Sequence, residues 1–426
     1  MTIKGLSKLI KCHKDKMQIS AFSNKTLAID TMSFLYKSNY AVRKDQEKKR
    51  NNNHLSQYPY LLNFHYLLKL FKKHNIKPIF VIDGQKLRIK YELYSWIQQQ
   101  KKIVPKPPNK PKKKSCPPNQ FKHVTTCQIH NLIDYLRNKN AEIIIAPYEA
   151  DAQIAFLCKH KIADLPLTDD SDILNFGCHK FISNLSIKTG NCQYFDLDAW
   201  RNKIDKVTAN TTFHTLLSLE KHEFFYAMIL SGCDYFAPFP GKGICTILPL
   251  FKQYSTFPKV LRHIFEESQW DLAYLPYIEN DVIFSSYSFR YQLIYDDNLK
   301  GCRSLQQLPT NLSQVESILE NWVYIGQMIK DVKSFSEGDL HLKNLSPRPR
   351  DYTITSAKIF AQLDNTILIC PTRSSTCLEK RPGIYPLAST EFMGKKIHFE
   401  EKKAEEPSTQ KIPLPQIPLK DIFTDS

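Results

Sequence analysis

The sequence predicts an α/β fold, on three observations. Apolar runs bounded by polar residues read as buried parallel strands, at 25–30, 77–83, 141–146 and 162–168. Between them lie segments with apolar residues at helical spacing. Acids gather where the runs stop: Asp30, Asp83, Glu149, Asp151, Asp170 and Asp172.

The first run, K-T-L-A-I-D, is a strand that ends at Asp30. Lys44 to Asn53 is charged and Asn-rich, and reads as a loop. Leu61, Phe64, Leu67, Leu68 and Phe71 then share one face of a helix over Tyr60–His74 that packs on the sheet. K-P-I-F-V-I-D-G is the second strand, closing on Asp83 with Gly84 opening the turn. From Lys101 to Lys122 the chain carries no acid and repeated prolines, so it is an extended basic loop. Val124, Ile129, Leu132, Ile133 and Leu136 restore a helix face. Strand 141–146, a helix from about Glu149 to His160 and the strand-like run Ile162–Thr168 follow. Lys180–Leu185 and Cys192–Leu197 flank a K-T-G-N turn and predict a β-hairpin. After that the chain turns helical: Glu223–Ser231, the turn G-C-D-Y, then F-P-G-K-G-I and an apolar run to Phe251. Periodicity fades beyond about Pro347, and the last stretch, rich in Pro, Lys and Glu, reads as a tail.

At 426 residues the chain has room for one large domain and a tail. Its formal net charge of +17 points to a polyanionic partner, because Lys and Arg displace counterions from phosphates. A basic ribosomal or membrane-surface protein shares that balance. No apolar run approaches the roughly 18 residues of a membrane span, and the lysine-rich start is not a signal peptide, so an intracellular setting is expected. The eleven cysteines form no C-x-x-C pair and read as reduced thiols. Cys12-His13 lacks partners at zinc spacing.

Carboxylates gathered at strand ends repel one another, and one cavity tolerates them only if they are protonated or neutralised, most simply by hard divalent cations. Any one of them alone reads equally well as a helix N-cap, and Asp169 is such a spare.

Asp30, Asp83, P-Y-E-A-D-A-Q at 147–153, D-D-S-D at 169–172 and L-S-G-C-D-Y at 230–235 resemble, in that order, the motifs of the FEN/XPG-like 5′ nucleases. F-R-Y-Q-L-I-Y-D-D at 289–297 and Y-I-G-Q at 324–327 resemble elements of the exonuclease 1 branch. The resemblance covers roughly residues 1–340. It implies a PIN-like fold: a central, mostly parallel sheet with helices on both faces and a helix-two-turn-helix element that binds DNA. It divides the chain into nuclease regions at 1–99 and 124–230, a basic loop at 100–123 where the family has a helical arch, a helical part at 231–346 and a tail at 347–426.

It also implies the site. Glu149, Asp151 and Asp170 or Asp172 hold a first Mg²⁺, Asp172 and Asp234 a second, and Asp30 and Asp83 complete the shell; Mn²⁺ substitutes. Two such ions activate a water and stabilise the departing oxygen of an in-line phosphoryl displacement. Lys90 matches a lysine that reaches the scissile phosphate; the alternative is a solvated surface lysine. Tyr36 matches a residue stacked on a base near the cut; the alternative is core packing. In P-G-K-G-I at 240–244, Gly241 and Gly243 permit close approach to the DNA backbone, and relatives hold K⁺ here with a serine corresponding to Ser231. Lys242 either contacts phosphate or crowds that ion. Ile97 stands where the family has an arginine, and Thr2 where it has glycine. Lys110–Lys114 reads as a nuclear localisation signal or as part of an electrostatic funnel. Q-I-P-L-K-D-I-F at 416–423 is a degenerate sliding-clamp box.

The expected activity is Mg²⁺-dependent 5′→3′ digestion of double-stranded DNA with 5′-flap cleavage, acting at 5′ ends, nicks or flaps in the nucleus, with mismatch-repair proteins as partners. A replicative flap endonuclease is the alternative enzyme, and a DNA-binding paralogue with little catalysis the alternative of another class.

Overall fold

The computed structural model describes residues 3, 5–46, 59–94, 124–209, 211–329 and 331–337. Thr2, Ile97, the basic segment 100–123 and the tail with its clamp-like box at 416–423 lie outside the described residues.

Seven strands build the central sheet: β1 (Asp15–Gln18), β2 (Thr26–Asp30), β3 (Lys77–Ile82), β4 (Glu142–Ile145), β5 (Leu165–Leu167), β6 (Lys180–Ser183) and β7 (Asn191–Asp196). Their order is β1-β7-β6-β5-β2-β3-β4. The strands from β6 to β4 are parallel; the β6–β7 hairpin and β1 add antiparallel pairs at one edge.

The apolar runs are continuous because both faces of the sheet are covered. Ala28, Ile79 and Val81 enter one apolar cluster, while Leu27, Ile29, Phe80 and Ile82 enter the other. Side chains alternate along a strand, so a strand buried on both faces has no polar side.

Helices α1 (Leu6–Ile10), α2 (Thr31–Gln46), α3 (Pro59–Lys73), α4 (described at 88–94), α5 (Thr126–Asn138) and α6 (Ala150–Lys159) are interleaved with the strands. Leu35 of α2, Phe64, Leu67 and Phe71 of α3, and Leu132, Ile133 and Leu136 of α5 join the second cluster. Ala152, Ile154, Ala155 and Phe156 of α6 join the first. Thr125 starts α5 with a capping box closed by Gln128.

A second layer follows: α7 (Leu197–Arg201), α8 (Thr212–Ser218), α9 (Lys221–Leu230), α10 (Ile244–Tyr254), α11 (Phe257–Glu267) and α12 (Leu275–Arg290). The small sheet β8 (Leu293–Asp296) and β9 (Gly301–Ser304) comes next, then α13 (Leu312–Glu320), α14 (Trp322–Ile325) and α15 (Val332–Glu337). The fully buried Gln153 of α6 exchanges two 2.8 Å hydrogen bonds with the main chain of Tyr295, tying α6 to β8.

Several readings are corrected. Lys44–Gln46 is the end of α2, not the start of a loop. The strand expected from Ile162 begins at Leu165, because Lys161 takes a left-handed φ of 58° and Asp164 turns back to accept the Thr26 N–H at 2.7 Å. β1 and the β8–β9 hairpin are too short and too polar at the edges to stand out in sequence.

Candidate active site

The chain runs outward from β2 to β3 and β4, then returns through α6 to β5 beside β2. That reversal opens a crevice at the carboxyl ends of β2 and β5, where ligands bind in sheets of this kind. Asp30 closes β2, Asp83 follows β3, Glu149 and Asp151 stand at the start of α6, and Asp170 and Asp172 follow β5. Asp234 arrives from the turn after α9. Six of the seven come from the sheet's own connections, the seventh from the helical layer.

Three of the seven, Asp30, Asp83 and Asp170, also hold a helix start. Asp30 Oδ1 accepts the Ser33 N–H at 3.1 Å and its Oδ2 the Thr168 hydroxyl at 2.9 Å. Asp83 Oδ1 accepts the Ala150 N–H at 2.8 Å, at the first residue of α6. Asp170 Oδ1 accepts the Asp172 N–H at 2.9 Å, and Asp172 Oδ1 accepts the Ile3 N–H at 2.6 Å. Helix N-termini carry partial positive charge, so capping and charge clustering reinforce each other here. Asp169 stands apart, paired with Lys37 and accepting the Asn184 N–H at 2.7 Å, in line with its reading as a spare.

The charge is not balanced by these bonds. Burial first, and Asp83 second, push Asp30 up to about 7. Burial raises Asp83, with Lys90 opposing. Burial, then Asp170, raises both Asp151 and Asp172 well above the usual carboxylate range, and burial followed by Asp234 raises Asp170. Buried Oδ1 of Asp151 has no hydrogen-bond partner.

Lys90 sits on α4 and points into the cluster, 3.0 Å from Glu149 Oε1 and 2.5 Å from Asp234 Oδ2. Burial works against its charge, but Glu149 and Asp234 outweigh that and hold the ammonium well above its ordinary range. It is therefore not a solvated surface lysine. Tyr36, on α2, is 51% exposed and feels both Asp83 and Lys90, so it is a rim residue and not part of the core.

The donor set is all oxygen, buried and overcharged, which suits hard divalent cations. Among the described residues, however, no three acids converge as a ready-made ligand set. Glu149 and Asp234 are drawn onto the Lys90 ammonium instead. The residues fit such ions by chemistry and charge.

In the turn after α9, Gly241 takes a φ of +72°, Gly243 precedes the first turn of α10, and neither has a packed neighbour within 4 Å of where a Cβ would sit, so both leave the backbone open to approach. Ser231 is fully buried and its hydroxyl donates to the Ala227 carbonyl at 2.7 Å. Lys242 pairs with Glu267 of α11 at 2.6 Å.

Sequence reasoning missed Thr168, Tyr235 and Gln292. The Tyr235 hydroxyl donates to Glu149 Oε2, and Gln292 Oε1 accepts the Glu149 N–H at 3.1 Å. Tyr235 sits inside a quoted motif, but only its neighbour Asp234 had an evident chemistry. The His13 ring stacks on Phe213, centroids 3.5 Å apart. All eight cysteines among the described residues are free thiols. No helix among those residues is long and apolar enough to cross a membrane.

Comparison with known proteins gives two family matches: an XPG N-terminal domain over residues 1–103 and an XPG I-region over 140–234. Exonuclease 1 of Arabidopsis thaliana is 27% identical over 325 residues, 74% of this chain and 41% of that one. Exonuclease 1 of Danio rerio is 29% identical over 327 residues, 74% of this chain and 38% of its own. Exodeoxyribonuclease 1 of Schizosaccharomyces pombe is 27% identical over 404 residues, 93% of this chain and 65% of its own. The chain thus spans less than half the length of the first two.

Proposed function

Because the chain belongs to the XPG/FEN family of 5′ nucleases, we propose that it is a metal-dependent 5′ nuclease that hydrolyses DNA phosphodiesters from or near a 5′ end. The observation that carries this reading is the cluster of buried, mutually repelling acids where the strands end, beside the Lys90 bridge between Glu149 and Asp234, a concentration of carboxylates that cations would relieve. Glu149, Asp151, Asp170, Asp172 and Asp234 would hold two Mg²⁺ ions, for which Mn²⁺ substitutes, with Asp30 and Asp83 in the surrounding shell. Such ions would supply an activated water and stabilise the departing oxygen.

The remaining steps belong to the chain's own side chains. The Lys90 ammonium, which lies between Glu149 and Asp234, would reach the scissile phosphate and stabilise charge that grows in the transition state. Tyr36, exposed at the rim, stacks on an unpaired base and orients the strand. Gly241 and Gly243 let the backbone approach a duplex phosphate. Ser231 keeps its oxygen lone pairs, so a K⁺ ion at this turn remains within the proposal. Preference for recessed ends over flaps, a nuclear setting, mismatch-repair partners and a sliding clamp at 416–423 extend the reading and rest on the sequence alone.

Purified protein on labelled nicked, recessed and 5′-flapped duplexes, with and without Mg²⁺, tests it. Stepwise shortening from recessed 5′ ends is expected with Mg²⁺ only. Release of flaps alone would favour a flap endonuclease, and binding without cutting in Mg²⁺ and in Mn²⁺ would leave a DNA-binding paralogue.

A further inference from the structure

Tyr235 and Gln292 are almost completely buried, and both bond to Glu149. Gln292 follows α12, so it comes from the helical layer, about 140 residues away from the acid it meets.

The polarity of these bonds is fixed. The Glu149 N–H can only donate, so it must face the Gln292 carbonyl oxygen, 3.1 Å away. The Gln292 amide nitrogen then faces the Ser288 carbonyl oxygen at 3.2 Å, which can only accept. The same nitrogen lies 3.5 Å from the Tyr235 hydroxyl oxygen. Tyr235 therefore receives from Gln292 through a lone pair and turns its own proton to Glu149 Oε2. Its ring is braced edge-on against Phe289, centroids 5.0 Å apart. With Oε2 occupied, Oε1 is the oxygen that faces Lys90 and the crevice.

We propose that Gln292 and Tyr235 form a positioning relay that keeps Glu149 an acceptor and aims its second oxygen at the cation. The relay couples the helical layer to the metal-binding side of the sheet. The proposal rests on the metal-dependent reading above, and the hydrogen bonds behind a ligand are where cation affinity is tuned: losing one typically costs 10- to 100-fold.

The test is titration of Mn²⁺ alone into metal-free full-length protein by calorimetry, without DNA or turnover. Tyr235→Phe keeps the ring and its packing and removes only the hydroxyl, with both the bond it donates to Glu149 and the one it accepts from Gln292. Ser285→Ala is the control, because Ser285 donates to the Tyr235 carbonyl at 2.9 Å in the same buried layer but does not bond to Glu149. Circular dichroism checks that each variant is folded. Expected are Mn²⁺ binding about tenfold weaker or worse in Tyr235→Phe and unchanged within about twofold in Ser285→Ala. Binding equal to wild type in Tyr235→Phe overturns the relay, as does an equal loss in both variants, which marks a general packing effect. Absence of Mn²⁺ binding in the wild type is a different result: it removes the nuclease reading and the relay with it.

Discussion

At the residue scale, Asp172 and Lys90 carry the sharpest expectations. Asp172 is buried, accepts the Ile3 N–H and is held well above the usual carboxylate range by burial and then Asp170, so in the absence of a neighbouring positive charge its neutral form is favoured. Asp172→Ala should lower cleavage by on the order of a thousandfold while duplex binding stays within a few-fold, read by labelled-strand cleavage and fluorescence anisotropy. Equal cleavage by variant and parent would remove Asp172 from the site. Lys90→Ala should cost roughly 10²–10³ in the rate of the chemical step and less in binding. The same variant strands Glu149 and Asp234 without their ammonium. Since the Lys90 side chain is 38% exposed, solvent screens the loss to about 1 kcal/mol, a lower melting temperature in EDTA that Mg²⁺ should erase. A drop that persists in Mg²⁺ would mean Lys90 is a structural ion pair.

At the element scale, the acids depend on how strands end and helices begin. Gly84, directly after Asp83, passes so close to β4's exit that a Cβ would lie 1.9 Å from the Ala146 carbonyl oxygen. Its N–H donates to the Tyr148 carbonyl at 2.7 Å. Gly232, two residues before Asp234, has φ +93°, and a Cβ there would stand 2.5 Å from Pro238. Gly232→Ala should cost about 1–3 kcal/mol by thermal or urea unfolding and reduce cleavage as well, since the strain falls on the turn that delivers Asp234. A variant as stable and as active as the parent would show that this turn relaxes freely. The hairpin at β6–β7, the helix face over 124–136 and the strands with apolar runs were legible, because local pattern suffices for them. α2 was not, because Ser33, Ser38 and the exposed Tyr36 interrupt its apolar face.

For the whole molecule, the acid cluster makes stability depend on pH and metal together. Asp30 has an ordinary value of 3.8 and a folded value of about 7, so the folded state holds its proton longer than the unfolded chain. Its contribution is complete below about pH 4 and is lost as pH rises through 7. Asp83, Asp151, Asp170 and Asp172 are shifted the same way. Metal-free protein should therefore melt several degrees lower at pH 8 than at pH 5.5, and Mg²⁺ should recover most of that at pH 8 and little at pH 5.5. Scanning calorimetry reads this directly, and a melting temperature flat across that range with no Mg²⁺ effect would argue against a cation site. The net charge of +17 adds a further expectation: DNA affinity should fall steeply between 50 and 200 mM salt.

The sequence by itself determined the strands with apolar runs, the helices with a regular apolar face and the clustering of acids where those runs stop, because hydrophobic period and motif are local and one-dimensional. Tertiary structure alone decided what those acids meet. Lys90 bridges Glu149 and Asp234, Lys242 is taken up by Glu267, Ser231 is sealed in the interior and Gln292 reaches Glu149 from the helical layer. Such contacts join residues far apart in the chain, and no spacing rule encodes which donor turns toward which acceptor once both are out of water.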